Sequence, residues 1–270
     1  MTNERGDSRL DAALAARGLA RSRSAASRLI AEGLVSVDGR GVIKPSLRVT
    51  AQQSIVVAES DDYVSRAAHK LAAALDAFLV DPVSQYCLDL GASTGGFTQV
   101  LLERGAGHVV ALDVGHGQLA AQIRVDERVA VVEGVNARYL TRQQLETVSG
   151  SANVPTLVVA DLSFISLTLV LPAIVSTVGT DADFVMLVKP QFEVGRGGIH
   201  EGLVRDAALR EDSVNQVLWS AWDVGLPTSG VIPSPILGSA GNHEYLVWFS
   251  TRHGSNPTEW SERVFESVQR

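Results

Sequence analysis

Apolar and polar positions change period along the chain, and each change marks an element. The runs Gln85–Leu90, His108–Asp113, Arg128–Glu133, Thr156–Ala160, Phe184–Val188, Thr228–Ile232 and Glu244–Ser250 read as strands. Several are continuously apolar, as strands covered on both faces are. Helical spacing falls between them, at Gly95–Glu103, Gly117–Ile123, Arg142–Val148, Ser166–Ser176 and Ala207–Asp223. This alternation predicts an α/β domain with a mainly parallel, doubly wound seven-stranded sheet. Ahead of it, Leu71, Ala74, Leu75 and Phe78 recur at helical spacing. Lys70 stands among them, and spacing alone reads it as solvated or snorkelling.

The first 59 residues follow a different pattern. Leu10, Ala13 and Leu14 share one helical face, with Arg9 and Asp11 off it, and Gly18 ends the helix. A second helix, capped by Ser22 or Ser24, turns Ala26, Leu29 and Ile30 inward and stops at Gly33. Leu34, Val35 and Val37 then lead to the hairpin signal Asp38-Gly39, and Val49 and Ile55–Val57 add strand. The expected organisation is a small α+β domain over 1–59, a linker over 60–64 and the large domain over 65–270.

Charge divides the chain at the same place. Residues 1–59 hold nine Lys/Arg against six Asp/Glu, and the remainder holds fourteen against twenty-four. Arg9, Arg21, Arg23 and Arg28 cluster around the two helices, and Lys44 follows the hairpin, which suits a phosphate-rich partner. The single cysteine, Cys87, excludes an intramolecular disulfide and a cysteine-rich zinc site. His69, His116 and His243 lack ligand spacing, so no metal is expected. The polar start Met1–Arg5 predicts a cytoplasmic protein. The uncharged stretch Leu162–Thr180 approaches membrane length, but Pro172, three serines and three threonines interrupt it.

The strongest local signal is Leu88-Asp89-Leu90-Gly91-Ala92-Ser93-Thr94-Gly95-Gly96-Phe97-Thr98. A strand ends at a glycine-rich turn and a helix begins, so the backbone can approach a ligand and free N–H groups face it. Ser93 breaks the dinucleotide pattern, and no Gly-Lys-Ser/Thr makes a phosphate loop. Asp113 ends the next strand, where a carboxylate accepts the hydroxyls of a ribose. NAD and S-adenosylmethionine both fit these features. Val114 and Asn136 follow the second and third strands as further contacts. Asp161 and Lys189 follow apolar strands, and Glu244 opens the last strand after Gly241-Asn242-His243.

Two resemblances refine this reading. Arg9-Leu10-Asp11, Arg17-Gly18-Leu19, Ser22-Arg23, Ala26, Leu29-Ile30, Gly33, Val35, Val37, Gly39 and Lys44-Pro45-Ser46 resemble the S4 RNA-binding domain, which implies binding of structured RNA through shape and backbone. The glycine-rich turn, with Lys70, Asp161, Lys189 and Glu244 in chain order, resembles the FtsJ-like ribose 2′-O-methyltransferases. Tyr63-Val64-Ser65-Arg66-Ala67-Ala68-His69-Lys70-Leu71, Asp161-Leu162-Ser163-Phe164-Ile165-Ser166, Leu187-Val188-Lys189-Pro190-Gln191-Phe192-Glu193 and Gly241-Asn242-His243-Glu244-Tyr245 narrow the similarity to the TlyA (hemolysin A) family.

That resemblance implies a Rossmann-like class I methyltransferase fold with an N-terminal S4 domain. It implies S-adenosylmethionine as cofactor and 2′-O-methylation of cytidine in 16S and/or 23S ribosomal RNA, with sensitivity to capreomycin-type antibiotics as the consequence. Ribosomal RNA or ribosomal subunits are then the partners, and a monomer free of membrane is expected. The implied catalytic set is Lys70, Asp161, Lys189 and Glu244. Cofactor contacts are expected from Asp89, Gly91, Ala92, Ser93, Thr94, Gly95, Gly96, Phe97, Asp113, Val114, Asn136 and Asp161. RNA contacts are expected from Arg9, Arg21, Arg23, Arg28, Lys44, Arg66 and Arg196, and Ser163 and Phe164 are expected near the methyl group. To act as base, Lys189 needs its pKa lowered by about 3, or about 4 kcal/mol, and Lys70 is expected to supply the repulsion. The alternative is that the lysines only position the oxygen. The competing classes are an RNA-binding protein with an inactive methyltransferase fold and a membrane-active hemolysin.

Overall fold

A computed structural model describes residues 8–31, 33–57, 63–195, 198–238 and 241–269. It separates into two compact units, residues 1–66 and residues 67–270, except that a segment at 239–241 groups with the first. Most of the expected linker at 60–64 lies outside the described residues.

In the first unit, α1 (Leu10–Ala16) and α2 (Arg23–Ala31) pack on short strands. Gly18 and Gly33, both at positive φ, follow the two helices, and Ser22 Oγ accepts the Ala25 N–H to open α2. Asp38 (φ 50°) and Gly39 (φ 78°) form the tight turn between β2 (Val35–Val37) and β3 (Arg40–Val42). Val35 also pairs with Val57 of β5 (Ile55–Val57). A separate ladder joins β1 (Ser8–Arg9) to β4 (Arg48–Val49). Leu10, Leu14, Ala26, Ile30 and Val35 fill a small core of their own.

In the second unit, α3 (Ala67–Phe78) precedes the sheet. The strands are β6 (Tyr86–Leu90), β7 (His108–Asp113), β8 (Val129–Glu133), β9 (Leu157–Ala160), β10 (Asp183–Val188), β11 (Thr228–Pro233) and β12 (Tyr245–Phe249). They assemble in the order β11-β12-β10-β9-β6-β7-β8. Every neighbouring pair from β10 to β8 is parallel, whereas β12 runs antiparallel to both β10 and β11. The start of β12 therefore shares an edge with the C-terminal ends of the parallel strands. Leu88, Val110, Val158, Phe184 and Val247 are fully buried within the sheet, as their unbroken apolar runs require.

The helices depart from expectation in three places. Gly117 takes φ 65° and the Ala120 N–H bonds Thr94 O, so the segment before α5 is held as a loop and the helix shrinks to Ala121–Arg124. The helix expected over Ser166–Ser176 is broken. Ser166 caps a short 3₁₀ turn, and Pro172 starts α7 (Leu171–Val178) afresh. A C-terminal helix, α10 (Ser261–Gln269), buries Val264 and Val268. Among the described residues no helix is long and apolar enough to cross a membrane.

Candidate functional site

The sheet order carries chemistry to one edge. Gly91 follows β6, Asp113 ends β7, Asp161 follows β9 and Lys189 follows β10. Glu244 precedes Tyr245, the partner of Val188 at the end of β10, so the antiparallel strand brings it to the same place.

Two ion pairs form there. Lys70 on α3 is buried, with its Nζ 2.5 Å from Glu244 Oε2. The two side chains are only 6% and 3% exposed, so the pair is shielded from water on both sides. Lys189 Nζ lies 2.6 Å from Asp161 Oδ1 and donates to Ser163 Oγ at 2.8 Å. Gln191 Nε2 reaches Glu244 Oε1 at 3.5 Å. Lys70 is therefore buried, not solvated as its helical spacing alone suggests, and Glu244 meets it as the sequence reading allows. Each lysine is thus paired with a carboxylate of its own.

Beside these pairs lies a cavity of about 540 Å³, within the range of small-molecule sites. Gly91, Ser93, Asp113, Val114, Asn136 and Asp161 line it, as do Ser163 and Phe164. Gly91 has φ 81°, and a Cβ there would stand 2.7 Å from Asp161 O. This position is closed to any side chain, and the backbone itself makes the cavity wall. The Asp113 carboxylate accepts the Ser93 N–H on Oδ2 (2.9 Å) and the Gly115 N–H on Oδ1 (2.7 Å). Two backbone donors fix its orientation and leave lone pairs free to accept ligand hydroxyls. These features fit S-adenosylmethionine, whose ribose needs a fixed carboxylate and whose bulk needs a cleared backbone turn.

Other expected contacts do not line this cavity. Phe97 turns its ring into the core, because α4 (Gly96–Glu103) lays its first turns against the sheet. Asp89 is fully buried, with Oδ2 accepting the Thr98 hydroxyl at 2.6 Å, and burial pushes its pKa up to about 7. Ala92 and Gly96 are buried. Gly95 serves packing, since a Cβ there would meet Leu119 Cδ1 at 2.9 Å, and Thr94 O holds Ala120.

Sequence reasoning missed Gln118, Leu162 and Ile165 in the cavity wall. It also gave no role to Glu193, which is buried at the end of the helical turn Pro190–Glu193. Its Oε1 accepts the Leu167 N–H at 2.8 Å and its Oε2 accepts the Ser166 hydroxyl, and burial raises its pKa. A second hollow, lined by Arg138, Tyr139, Phe164, Gln191 and Phe192 among others, adjoins the first. The Phe164 ring is 91% exposed on a backbone with φ 64°, tilted against Phe192 at 5.2 Å. Among the described residues, no group of three or more metal-ligating side chains occurs.

On the first unit, Arg21 and Lys44 are exposed. Arg9 and Arg23 are also exposed but share one carboxylate, Asp11. The Arg66 guanidinium packs over Gly33. The Arg28 side chain and Arg196 lie outside the described residues.

Comparison with known proteins agrees with this architecture. The FtsJ-like methyltransferase family model matches residues 63–251, and the S4 domain model matches residues 8–55. A Mycobacterium tuberculosis protein named 16S/23S rRNA (cytidine-2′-O)-methyltransferase TlyA is 51% identical over 247 residues, covering 90% of each chain. Hemolysin A of Brachyspira hyodysenteriae is 39% identical over 242 residues, covering 89% of this chain and 99% of that one. A solved structure from Streptococcus thermophilus, named as a hemolysin, superposes with a TM-score of 0.74 at 35% identity, covering 97% and 96% of the two chains. The chain belongs to the TlyA branch of the FtsJ-like methyltransferases, enzymes that take their methyl group from S-adenosylmethionine.

Proposed function

We propose that this protein methylates the ribose 2′-hydroxyl of cytidine in ribosomal RNA, 16S, 23S or both, and that Lys70, Asp161, Lys189 and Glu244 form the reacting site. The observation that carries this reading is the pairing of Lys189 with Asp161 and Ser163, two residues of the cavity wall. S-adenosylmethionine supplies an electrophilic methyl group on a sulfonium. Asp113 would hold its ribose, Val114 and Asn136 its base, and the Gly91 and Ser93 backbone its amino-acid end.

The rest falls to the chain. In-line displacement needs the attacking oxygen fixed within near-attack distance. Lys189 Nζ pairs with Asp161 Oδ1 and donates to Ser163 Oγ, both residues of the cavity wall. It steers the hydroxyl oxygen, and the proton leaves to solvent as the O–C bond forms and the C–S bond breaks. The Lys70–Glu244 pair supports the helical turn Pro190–Glu193, from which Gln191 approaches. Phe164 and Phe192 hold the base of the target nucleotide. The first unit grips the RNA backbone through Arg9, Arg21, Arg23 and Lys44. The protein acts as a cytoplasmic monomer, and its product sensitises ribosomes to capreomycin-type antibiotics.

The test is transfer of labelled methyl to ribosomal subunits that lack the modification, with wild type and Lys189→Ala in parallel. Ribose label that drops by about 10²-fold or more in the variant supports the assignment. No label on either subunit or on naked ribosomal RNA overturns it.

A further inference from the structure

We propose that Asp11 organises Arg9 and Arg23 into a single phosphate-binding clamp, so that a carboxylate on this basic face promotes RNA binding. This inference rests on reading the first unit as RNA-binding.

Asp11 is nearly buried, yet four donors converge on it. Oδ1 accepts from Arg9 Nε at 3.1 Å and from the Ala12 N–H at 2.8 Å. Oδ2 accepts from Arg9 Nη2 at 3.1 Å and from Arg23 Nη2 at 3.2 Å. The side chain is 5% exposed, whereas Arg9 and Arg23 are 44% and 62% exposed. The anchor thus sits inside and both guanidiniums look out. Arg9 docks by the two-pronged geometry that fixes a guanidinium plane. Arg23 comes from α2, at the other side of the helix pair, and meets Arg9 on one oxygen. Asp11 takes two N–H donors from Arg9 and one from Arg23. Each guanidinium carries five, so most remain available.

The surroundings are basic. The Asp11 N–H bonds Pro45 O, which seats Lys44 beside the cluster, and Arg48 lies opposite Arg9 in the β1–β4 ladder. Two pre-oriented guanidiniums in this setting match a phosphate, whose oxygens accept paired N–H bonds. In free solution each long side chain would lose rotamer entropy on binding. The buried carboxylate has already spent that loss during folding.

The consequence has a sign that distinguishes it from charge counting. Removing a carboxylate from a basic face raises the net charge, and counting alone then gives tighter binding with a steeper salt dependence. The clamp gives the reverse. An amide at residue 11 faces the arginine fork with its own N–H₂ and cannot hold both guanidiniums.

The experiment measures binding of full-length protein to transcribed 16S and 23S ribosomal RNA across a salt series. Asp11→Asn is expected to weaken binding about fivefold or more and to flatten the salt slope by about one phosphate contact. Arg9→Ala, Arg23→Ala and the double variant form a second arm. In a shared clamp the double variant binds no worse than the weaker single one. Circular dichroism checks folding. If Asp11→Asn is unfolded, the arginine cycle decides. Equal or tighter binding by folded Asp11→Asn, or additive arginine effects, overturns the clamp. Wild type that shows no salt-sensitive affinity for either RNA overturns the RNA-binding reading itself.

Discussion

Separating scaffold from chemistry in the Lys70–Glu244 pair requires breaking it in two ways. The pair is buried at 2.5 Å, on side chains 6% and 3% exposed. Removing one partner strands a charge in a site without water, at a cost of about 3–5 kcal/mol. For a unit of about 200 residues each kcal/mol moves the melting temperature by about 2–4 °C. Lys70→Met and Glu244→Leu should therefore each lower it by roughly 6–20 °C. The double variant has no stranded charge, and replacing a buried pair by apolar groups of similar size is often neutral. It should recover most of the lost melting temperature. Activity should not recover, because the apolar pair cannot position the helical turn holding Gln191, so methyl transfer stays down by about 10²-fold. Calorimetry and the labelled-methyl assay read the two effects separately. A Lys70→Met protein that melts within about 2 °C of wild type refutes the buried-pair argument. A double variant with full activity removes both residues from the chemistry and leaves them as scaffold.

Three further outcomes follow from other contacts. Gly91→Ala forces a Cβ onto Asp161 O at 2.7 Å and a residue with φ 81° into the left-handed region. It should cost about 2–4 kcal/mol and abolish detectable cofactor binding by calorimetry. Asp89 has its pKa pushed up to about 7 by burial, above its ordinary value. The native state then binds an extra proton between about pH 4 and 7, and stability falls as pH rises through that window. Asp89→Asn should gain up to about 4 kcal/mol over wild type at pH 8 and nothing near pH 4, read from denaturant melts at both pH values. Glu193→Ala should lower kcat about tenfold with little change in cofactor KM, because the Ser166–Leu167 loop detaches from the turn after Lys189. Glu193→Gln, which can still meet both groups, should restore it, and failure to do so would assign the charge a role of its own.

The strands were legible in sequence because burial on both faces writes itself as unbroken apolar runs. His108–Asp113 and Ala207–Asp223 match their elements end to end. Residue identity also placed Asp113, Asp161, Lys189 and Glu244 at strand ends. The residues also suggested the pairing, Asp161 with Lys189 and Glu244 with Lys70, but not the geometry that achieves it. That depends on β12 inserting antiparallel between β10 and β11, a fact of sheet order that no local period encodes. Lys70 misled for the same reason: helical spacing marks a face but not the carboxylate that arrives from 174 residues away to neutralise it. Phe97 misled in the opposite direction. A motif residue invites a ligand role, yet the helix it opens lays that face on the sheet. Gln118 lies in a loop and Glu193 ends a single helical turn, Pro190–Glu193, where position comes from contacts and not from pattern.

The pairing also bears on why two lysines can stand in such a site at all. A sulfonium carries positive charge at the reacting centre, and two unmatched ammonium groups beside it would oppose cofactor binding. With Asp161 and Glu244 in place the four side chains sum to no net charge, while each Nζ still presents a directed N–H to an oxygen. Under the proposed mechanism, neutrality would preserve cofactor binding and direction would serve the hydroxyl. The same division recurs at Asp11, where one carboxylate lowers the charge of a basic face and fixes how its arginines point. If this reasoning holds, Asp161→Asn should weaken cofactor binding as well as turnover, since it leaves an unmatched Lys189 ammonium near the sulfonium. Lys189→Met in the same background should restore the binding without the turnover. Calorimetric titration of both proteins with S-adenosylmethionine and with its uncharged product, S-adenosylhomocysteine, checks this. The loss in Asp161→Asn should be larger for the charged ligand, and equal losses for the two would refute the electrostatic account.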